Sequence, residues 1–238
     1  MIRNSKSRLF VSILIITMIA TNQLMAKSNN DNYFIYPEAY ETWNYSFLTG
    51  LSVAKLPVII SENEISHAPL LCFNFRFGLP QDITTGIELK SNYISNYAAI
   101  NIGWSFLISP IYIQFGGKVS GWYGQLSMDS EDFSSLGWVL SPYIMAGIQF
   151  NDIYASIMIE SLHSRYYTYS ENEFLGIVRD PKAGLAMQLS LEQPLWHDNY
   201  VLLGVKFTYS KFFYQSWLSY STIDDYLIYP EIIFGFIL

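Results

Sequence analysis

The sequence predicts an all-β protein, a closed antiparallel transmembrane β-barrel of about ten strands, with eight or twelve strands as the alternatives. Three observations predict it. Hydrophobic residues make up 51% of the 238-residue chain and aromatic residues 17%, yet beyond the N-terminal region no stretch is apolar enough to span a bilayer as a helix. Ten segments alternate apolar and polar residues with a period of two. The connections between them are mostly short and long in turn, as in a membrane barrel.

The N-terminus has the three-part layout of a secretory signal peptide. Arg3, Lys6 and Arg8 precede an apolar run at 9–20, and Gln23-Leu-Met-Ala26 follows it as a cleavage site. The apolar run of 12 residues is shorter than the roughly 18 expected of a membrane-spanning helix, although an uncleaved anchor is the alternative. We therefore expect three regions: a signal peptide at 1–26, a periplasmic N-terminal segment at 27–43 and the barrel at 44–238.

Period-two alternation predicts the strands, most of them at least as long as the roughly 9–11 residues that cross a bilayer at a tilt. The predicted bounds are 44–54, 69–79, 82–91, 97–108, 111–123, 136–150, 153–165, 181–192, 200–213 and 229–238. Residues 33–40 are a candidate for a further short strand.

The connections favour a barrel over a β-sandwich. Turn-forming residues give tight links at Leu79-Pro-Gln-Asp82, Ile108-Ser-Pro-Ile111, Phe150-Asn-Asp-Ile153 and Leu195-Trp-His-Asp-Asn199. Longer polar links lie at 55–67, 124–135, 166–180 and 214–228, with a shorter one at 92–96. Short turns on one side and long loops on the other are typical of an outer-membrane barrel. An even strand number places both chain ends on the short-turn, periplasmic side.

Each predicted strand has a lipid-facing and a lumen-facing set of side chains. A charge at mid-bilayer on the lipid face costs about 2–4 kcal/mol, so the charged residues of the strands are expected inside. The predicted lumen-lining charged residues are Arg76, Glu88, Lys90, Lys118, Glu160, Lys182, Glu192 and Lys206. Barrels of about eight strands are filled by their side chains. We therefore expect a packed, salt-bridged interior, with a narrow passage or a ligand pocket as alternatives.

The last nine residues, Pro230-Glu-Ile-Ile-Phe-Gly-Phe-Ile-Leu238, form an amphipathic strand with Ile232, Phe234, Phe236 and Leu238 on one face. This end resembles the closing strand of bacterial outer-membrane β-barrel proteins, although Leu238 replaces the usual terminal aromatic residue. The resemblance implies location in the outer membrane of a Gram-negative-type cell, after signal-peptide cleavage. It also implies outer-membrane lipid and lipopolysaccharide as partners, and recognition of the C-terminal strand by the barrel-assembly machinery. The closing strand should pair with the first strand near 45–53.

Candidate catalytic groups do not converge in this pattern. His163 and Ser164 are adjacent near Glu160, but neighbouring residues of a strand point to opposite faces. Lipid-A deacylase barrels carry a His-x-Ser arrangement, from which this chain departs. His197-Asp198 resembles the His–Asp element of the omptin proteases, yet it falls in a predicted periplasmic turn, whereas the omptin site lies at the extracellular rim. The sequence predicts no catalytic residues, no metal site and no cofactor.

The net charge of −7 argues against a nucleic-acid partner, which would need clustered Lys and Arg. Acidic residues recur in the predicted extracellular loops, at Ser61-Glu-Asn-Glu64, Asp129-Ser-Glu-Asp132, Ser170-Glu-Asn-Glu173 and Asp224-Asp225. Such loops are by default solvated, although they offer oxygen ligands for weak binding of divalent cations. We expect a non-enzymatic structural or surface-interaction protein. The alternatives are a narrow porin-like channel and a lipid-modifying enzyme or protease.

Overall fold

The computed structural model describes residues 33–57, 59, 66–92, 94–128, 131–170, 173–196, 199–211 and 225–237. The predicted signal peptide and Leu238 lie outside these ranges. Within them the chain forms ten antiparallel strands that close into one barrel, which confirms the predicted fold class. No helix in this part of the chain is both long and apolar enough to cross a membrane.

The strands follow one another around the barrel in chain order. They are β1 (Tyr45–Lys55), β2 (His67–Leu79), β3 (Ile83–Ser91), β4 (Ser95–Ile108), β5 (Ile111–Met128), β6 (Glu131–Phe150), β7 (Ile153–Ser170), β8 (Glu173–Trp196), β9 (Asn199–Ser210) and β10 (Leu227–Ile237). β10 pairs with β1 from Leu48 opposite Ile237 to Ala54 opposite Glu231, as expected for the closing strand. Closure leaves no unpaired sheet edge.

Two glycines allow the close approach of strands at the closing seam. Gly50 of β1 lies directly opposite Gly235 of β10. A Cβ atom added to Gly50 would stand 2.1 Å from the Phe234 carbonyl oxygen, so a larger residue would push the two strands apart. The Leu48 side chain covers Gly235 on the lumen side. The seam is therefore closed by backbone pairing with an apolar side chain packed over it.

The outer wall is apolar and the lumen is polar, which is the reverse of a soluble globule. In β4, Ile100 and Trp104 are 63% and 56% exposed, whereas Ser105, the residue after Trp104, is 3% exposed. The same alternation runs through β8 and β10, where Leu189 and Ile232 face outward and Ser190 and Glu231 are buried. Period-two patterning therefore sorts the side chains as the sequence predicts.

Two hairpins extend farther than predicted. The stretches 124–135 and 166–180, expected as polar loops, are largely strand, because β5 reaches Met128 and β7 reaches Ser170. The rings of Tyr169 and Phe174 pack edge to face across β7 and β8 with centroids 5.7 Å apart. Aromatic cross-strand pairs of this kind stabilise hairpins even where the flanking residues are polar.

The segment 33–40 lies inside the barrel at the short-turn end. It is bent rather than extended, so it does not form the further strand considered from the sequence. Phe34 packs against Leu48, Leu202, Ile233 and Ile237, all of which are buried lumen-facing side chains. We call residues 33–40 the plug segment.

Candidate functional site

Six charged side chains form a continuous chain of ion pairs across the middle of the lumen. Lys90 Nζ lies 3.4 Å from Glu231 Oε1 and 3.0 Å from Glu88 Oε1. Lys118 Nζ lies 3.7 Å from Glu88 Oε2 and 3.2 Å from Glu160 Oε1, and Lys206 Nζ lies 3.1 Å from the same Glu160 oxygen. We call these six residues the ion-pair chain.

The ion-pair chain is electrically balanced, with three lysines and three glutamates. Its members come from β3, β5, β7, β9 and β10, so it joins well-separated parts of the wall. Charges removed from water are tolerated only when they are paired and hydrogen-bonded. Alternating signs across the lumen satisfy that condition and place a layer of side chains across the path of any solute.

The structure brings five of the eight predicted lumen residues into this chain: Glu88, Lys90, Lys118, Glu160 and Lys206. Glu231, which is 2% exposed, is a sixth member that the sequence prediction omits. A signal for it was present, because Glu231 alternates with the outward-facing Ile232 in the closing strand and so falls on the lumen side.

Glu192, another predicted lumen residue, binds the main chain of the plug segment through its carboxylate. The backbone N–H groups of Phe34, Ile35 and Tyr36 donate hydrogen bonds to its carboxylate at 2.6, 2.7 and 2.9 Å. Hydrogen bonds to a charged group contribute about 1.5–3 kcal/mol each. Three successive amides therefore form a cradle for one buried carboxylate.

Arg76 binds backbone carbonyl groups of the same segment through its guanidinium. Its Nη1 donates to the carbonyl oxygens of Phe34 and Tyr36, the latter at 2.8 Å, and its Nη2 donates to that of Glu38 at 2.9 Å. The guanidinium also lies over the Tyr40 ring, 4.6 Å from its centroid. Arg76 and Glu192 thus act as a pair of opposite charges that clamp one short stretch of backbone.

A tyrosine cluster packs the rest of the plug segment against the wall. The Tyr36 ring meets Tyr112 of β5 and Tyr154 of β7 with centroids 5.7 and 5.0 Å apart. The Tyr112 hydroxyl donates to Glu38 Oε1 at 2.7 Å. Room for this packing comes from Gly147, where an added Cβ would lie 2.4 Å from the Pro37 Cδ atom.

The Tyr36 phenol is fully buried, and its hydroxyl has no hydrogen-bond partner among the described residues. Burial raises the pKa of Tyr36 to about 12, with a further contribution from the nearby Glu38 carboxylate. The phenol therefore stays neutral well beyond the pH at which an exposed tyrosine ionises, about 10.

Two cavities flank the ion-pair chain. One of about 120 Å³ lies between it and the plug segment, with Phe34, Arg76 and Gln114 in its lining. The other, of about 70 Å³, lies toward the long connections, with Tyr97, Ser141 and Ser164 in its lining. Lys118 and Lys206 line both cavities, so the ion-pair chain separates them.

The prediction for Lys182 needs correction, because the structure places it on the exposed surface. A bulge shifts the register between β7 and β8, so that Leu162 pairs with Gly184 but Ser164 pairs with Asp180. The extra residues on β8 interrupt the alternation locally, so that Ala183 is buried and Lys182 is exposed. A register shift of this kind leaves no signature in a period-two pattern.

The Ser164 hydroxyl has no hydrogen-bond partner among the described residues, so it is not paired with His163. Glu160 and Ser164 are buried on the lumen side, whereas His163 is half-buried in the outward phase. The His163 ring instead lies 3.1 Å from Ser161 Oγ through Nε2 and contacts the Pro181 carbonyl through Nδ1. His197-Asp198 lies outside the described residues, within which no group of three potential metal ligands occurs.

No protein-family model matches the chain, and no curated protein matches it in sequence. Among solved structures, it is similar to Neisserial surface protein A, with 10% identity over 82% of this chain and 96% of that one and a TM-score of 0.41. Outer membrane protease OmpT from Escherichia coli matches with 10% identity over 81% and 94% and a TM-score of 0.44.

The attachment invasion locus protein Ail of Yersinia pestis matches with 10% identity over 83% of this chain and all of that one, and a TM-score of 0.36. Likenesses at this level carry no argument about activity. The chain's own geometry, a closed antiparallel barrel with an apolar outer wall and a polar lumen, is the architecture of bacterial outer-membrane β-barrel proteins.

Proposed function

We propose that the protein is a closed outer-membrane β-barrel that acts through its exposed surfaces, as a structural or surface-interaction protein, and not through its lumen. The observation that carries this proposal is double occlusion. The plug segment, clamped by Arg76 and Glu192, fills the short-turn end, and the ion-pair chain crosses the middle. A solute would have to displace both layers and leave buried charges unpaired on the way.

Location in the outer membrane is part of the proposal. The apolar outer wall supports it, because in water that wall would be an extensive exposed hydrophobic patch. The basic and apolar start of the sequence supports export with cleavage after Ala26. Cell fractionation, together with N-terminal sequencing of the mature protein, tests both points. Recovery in a soluble fraction would contradict the location.

The proposed partners follow from the same surfaces. Outer-membrane lipid, including lipopolysaccharide, would surround the apolar wall, and the barrel-assembly machinery would recognise the C-terminal strand. Of the acidic residues predicted in the loops, Asp225 is described and exposed, and Glu131, Asp132 and Glu173 begin strands β6 and β8. The others lie at 61–64, 129–130, 171–172 and 224, outside the described residues. We infer that these long connections form the surface through which the protein meets its environment.

Planar-bilayer conductance tests the closed lumen. We expect the intact barrel to show no defined unitary current. Deletion of 33–40 removes one layer only and should also leave the barrel silent, because the ion-pair chain remains. A reproducible unitary conductance of the intact protein would overturn the proposal. Heat-modifiable gel mobility of each variant shows that the silent proteins are folded barrels.

A narrow channel is the second candidate, and the position of the two lumen cavities favours it. They lie on the two sides of the ion-pair chain, so a modest rearrangement of Lys118 and Lys206 would join them. This candidate predicts that Arg76→Gln with Glu192→Gln, which releases the plug segment while keeping the chain length, gives a defined current. If that variant shows no current while its gel mobility remains heat-modifiable, the channel hypothesis is wrong.

A further inference from the structure

Positive charge on the outside of the barrel is concentrated in one sector. The described residues include nine lysines and arginines, of which Arg76, Lys90, Lys118 and Lys206 point into the lumen. Four of the remaining five lie on β7, on β8 and directly after β9: Arg165, Arg179, Lys182 and Lys211. We call these four the cationic sector. The fifth, Lys55, lies at the end of β1.

The centre of this sector is a pair of arginines in direct cross-strand register. Arg165 of β7 pairs with Arg179 of β8. Ser164 and Tyr166 on either side of Arg165 are buried inward, so the arginine pair faces outward. Like charges directly opposite one another destabilise a sheet. The barrel therefore carries an electrostatic penalty at this position that a bound anion would relieve.

The described residues supply no such anion. No described carboxylate lies within 4.0 Å of the charged nitrogens of Arg165, Arg179 or Lys182 in an ion pair. Asp180 is the adjacent acidic residue, and its Oδ1 accepts a hydrogen bond from the Lys182 backbone N–H at 3.0 Å. Arg165 lies over the Tyr167 ring, 5.3 Å from its centroid. Both guanidinium groups can therefore accept an external partner.

The height of the sector on the wall identifies the kind of partner. On β8 the outward positions Leu185, Leu189 and Leu191 are exposed and apolar, and the charged residues begin directly beyond them toward the long connections. On β9 the outward series ends with Tyr209, whose ring stacks on Tyr226, with Lys211 next. Aromatic residues at this level are typical of the boundary between hydrocarbon and headgroups.

We propose that the cationic sector binds the phosphate groups of a phosphorylated lipid headgroup in the outer leaflet. Paired guanidinium groups match phosphate oxygens in bidentate geometry. The acyl chains of such a lipid would lie against the exposed leucines of β8 while its phosphates meet the arginines. This inference rests on the proposed function for the orientation of the barrel, and it adds a defined lipid site on one sector of the wall.

The test is lipid binding by the full mature chain folded in neutral detergent. The probes are bisphosphorylated lipid A, dephosphorylated lipid A and inorganic phosphate, with retained lipid measured by native mass spectrometry. The variants are Arg165→Gln with Arg179→Gln, and Lys55→Gln as the matched control on the opposite part of the rim. Each charge near an anionic lipid surface contributes about fivefold to affinity, so the double variant should bind lipid A about 25-fold more weakly.

We expect Lys55→Gln to bind lipid A with the same affinity as the wild type. Dephosphorylated lipid A should bind the wild type as weakly as lipid A binds the double variant. Removal of the arginine repulsion should also make the double variant at least as resistant to urea as the wild type in phosphate-free detergent, which shows that it is folded. Equal binding of both lipid A forms, or an unchanged affinity of the double variant, would overturn the site.

Inorganic phosphate should compete only weakly. Full competition at equal concentration would show a free-anion site and overturn the lipid assignment. A conducting wild-type barrel would contradict the closed lumen and leave the lipid site standing, so the two proposals fail separately.

Discussion

Glu160 is the residue on which the interior electrostatics depend most. It is 1% exposed, and one of its carboxylate oxygens accepts both Lys118 and Lys206 at 3.2 and 3.1 Å. The two lysines lie on different strands, β5 and β9, so a single carboxylate connects them across the lumen. Loss of its charge would leave two buried cations with one fewer partner each.

We therefore predict that Glu160→Gln lowers the free energy of unfolding by about 3–5 kcal/mol, since breaking a buried ion pair from one side leaves the opposite charge uncompensated. Urea unfolding in lipid vesicles measures this. Asp152→Asn is the control, because Asp152 is exposed in the turn before β7 and surface changes usually stay within about 0.5 kcal/mol. Equal stability of the two variants would show that water screens the interior charges.

Tyr36 provides a pH-dependent prediction. Its pKa is raised to about 12, so the neutral phenol stabilises the docked plug segment fully below about pH 10, the ordinary tyrosine pKa. That contribution is lost as the pH rises through about 12. The tyrosinate absorbance of the wild type minus that of Tyr36→Phe should therefore titrate with a midpoint near 12. A midpoint near 10 would mean that water reaches the phenol and that the segment is not buried in solution.

At the scale of elements, the plug segment depends on two glycines of the wall that leave room for it, as well as on the contacts that its side chains and main chain make. Gly147 leaves the space that Pro37 occupies, and Gly78 does the same for the backbone of Tyr40 and Glu41. The clamp residues Arg76 and Glu192 hydrogen-bond to backbone atoms of the segment, and Arg76 also lies over the Tyr40 ring. Docking therefore depends on clearance at two wall positions as much as on attraction.

Gly147→Val should displace the plug segment, because even a Cβ at this position would lie 2.4 Å from Pro37 Cδ. We predict that the amides of 34–36 lose protection from hydrogen exchange by about tenfold or more, equivalent to about 1.4 kcal/mol. The matched control is Gly117→Ala, where an added Cβ meets nothing within 4 Å. Unchanged protection of these amides in Gly147→Val would show that the segment is not seated against β6.

At the scale of the whole molecule, exposure has the opposite meaning from that in a soluble protein. Ile100 is 63% exposed and would count as a tolerant surface position in water. In a bilayer the same side chain contacts lipid. We predict that Ile100→Lys lowers the free energy of unfolding in vesicles by about 2–4 kcal/mol. The exposed turn variant Asp152→Lys should leave it unchanged. A harmless Ile100→Lys would argue against a membrane-spanning wall at this height.

The strands were predictable because a barrel wall repeats one rule, period two, at every position. Even Glu231 could be assigned to the lumen by that rule. The rule fails where the backbone is irregular, as at the bulge between Leu162 and Ser164 that turns Lys182 outward. It also fails for interactions with the main chain, because hydrogen bonds from Phe34, Ile35 and Tyr36 amides leave no mark on residue type. The charged side chains of the lumen were therefore predictable, whereas the plug segment bound inside it was not.

The backbone clamp on the plug segment has a consequence for sequence variation. Arg76 and Glu192 bind backbone carbonyl and N–H groups, which every residue except proline carries in the same form. Substitutions within 34–38 that keep the backbone path would preserve all of these hydrogen bonds, whereas either clamp residue has no conservative replacement that reaches the same atoms with the same charge. These hydrogen bonds therefore restrain Arg76 and Glu192 in the wall but not the residue types of the segment, where Phe34 and Tyr36 are restrained instead by the packing of their side chains.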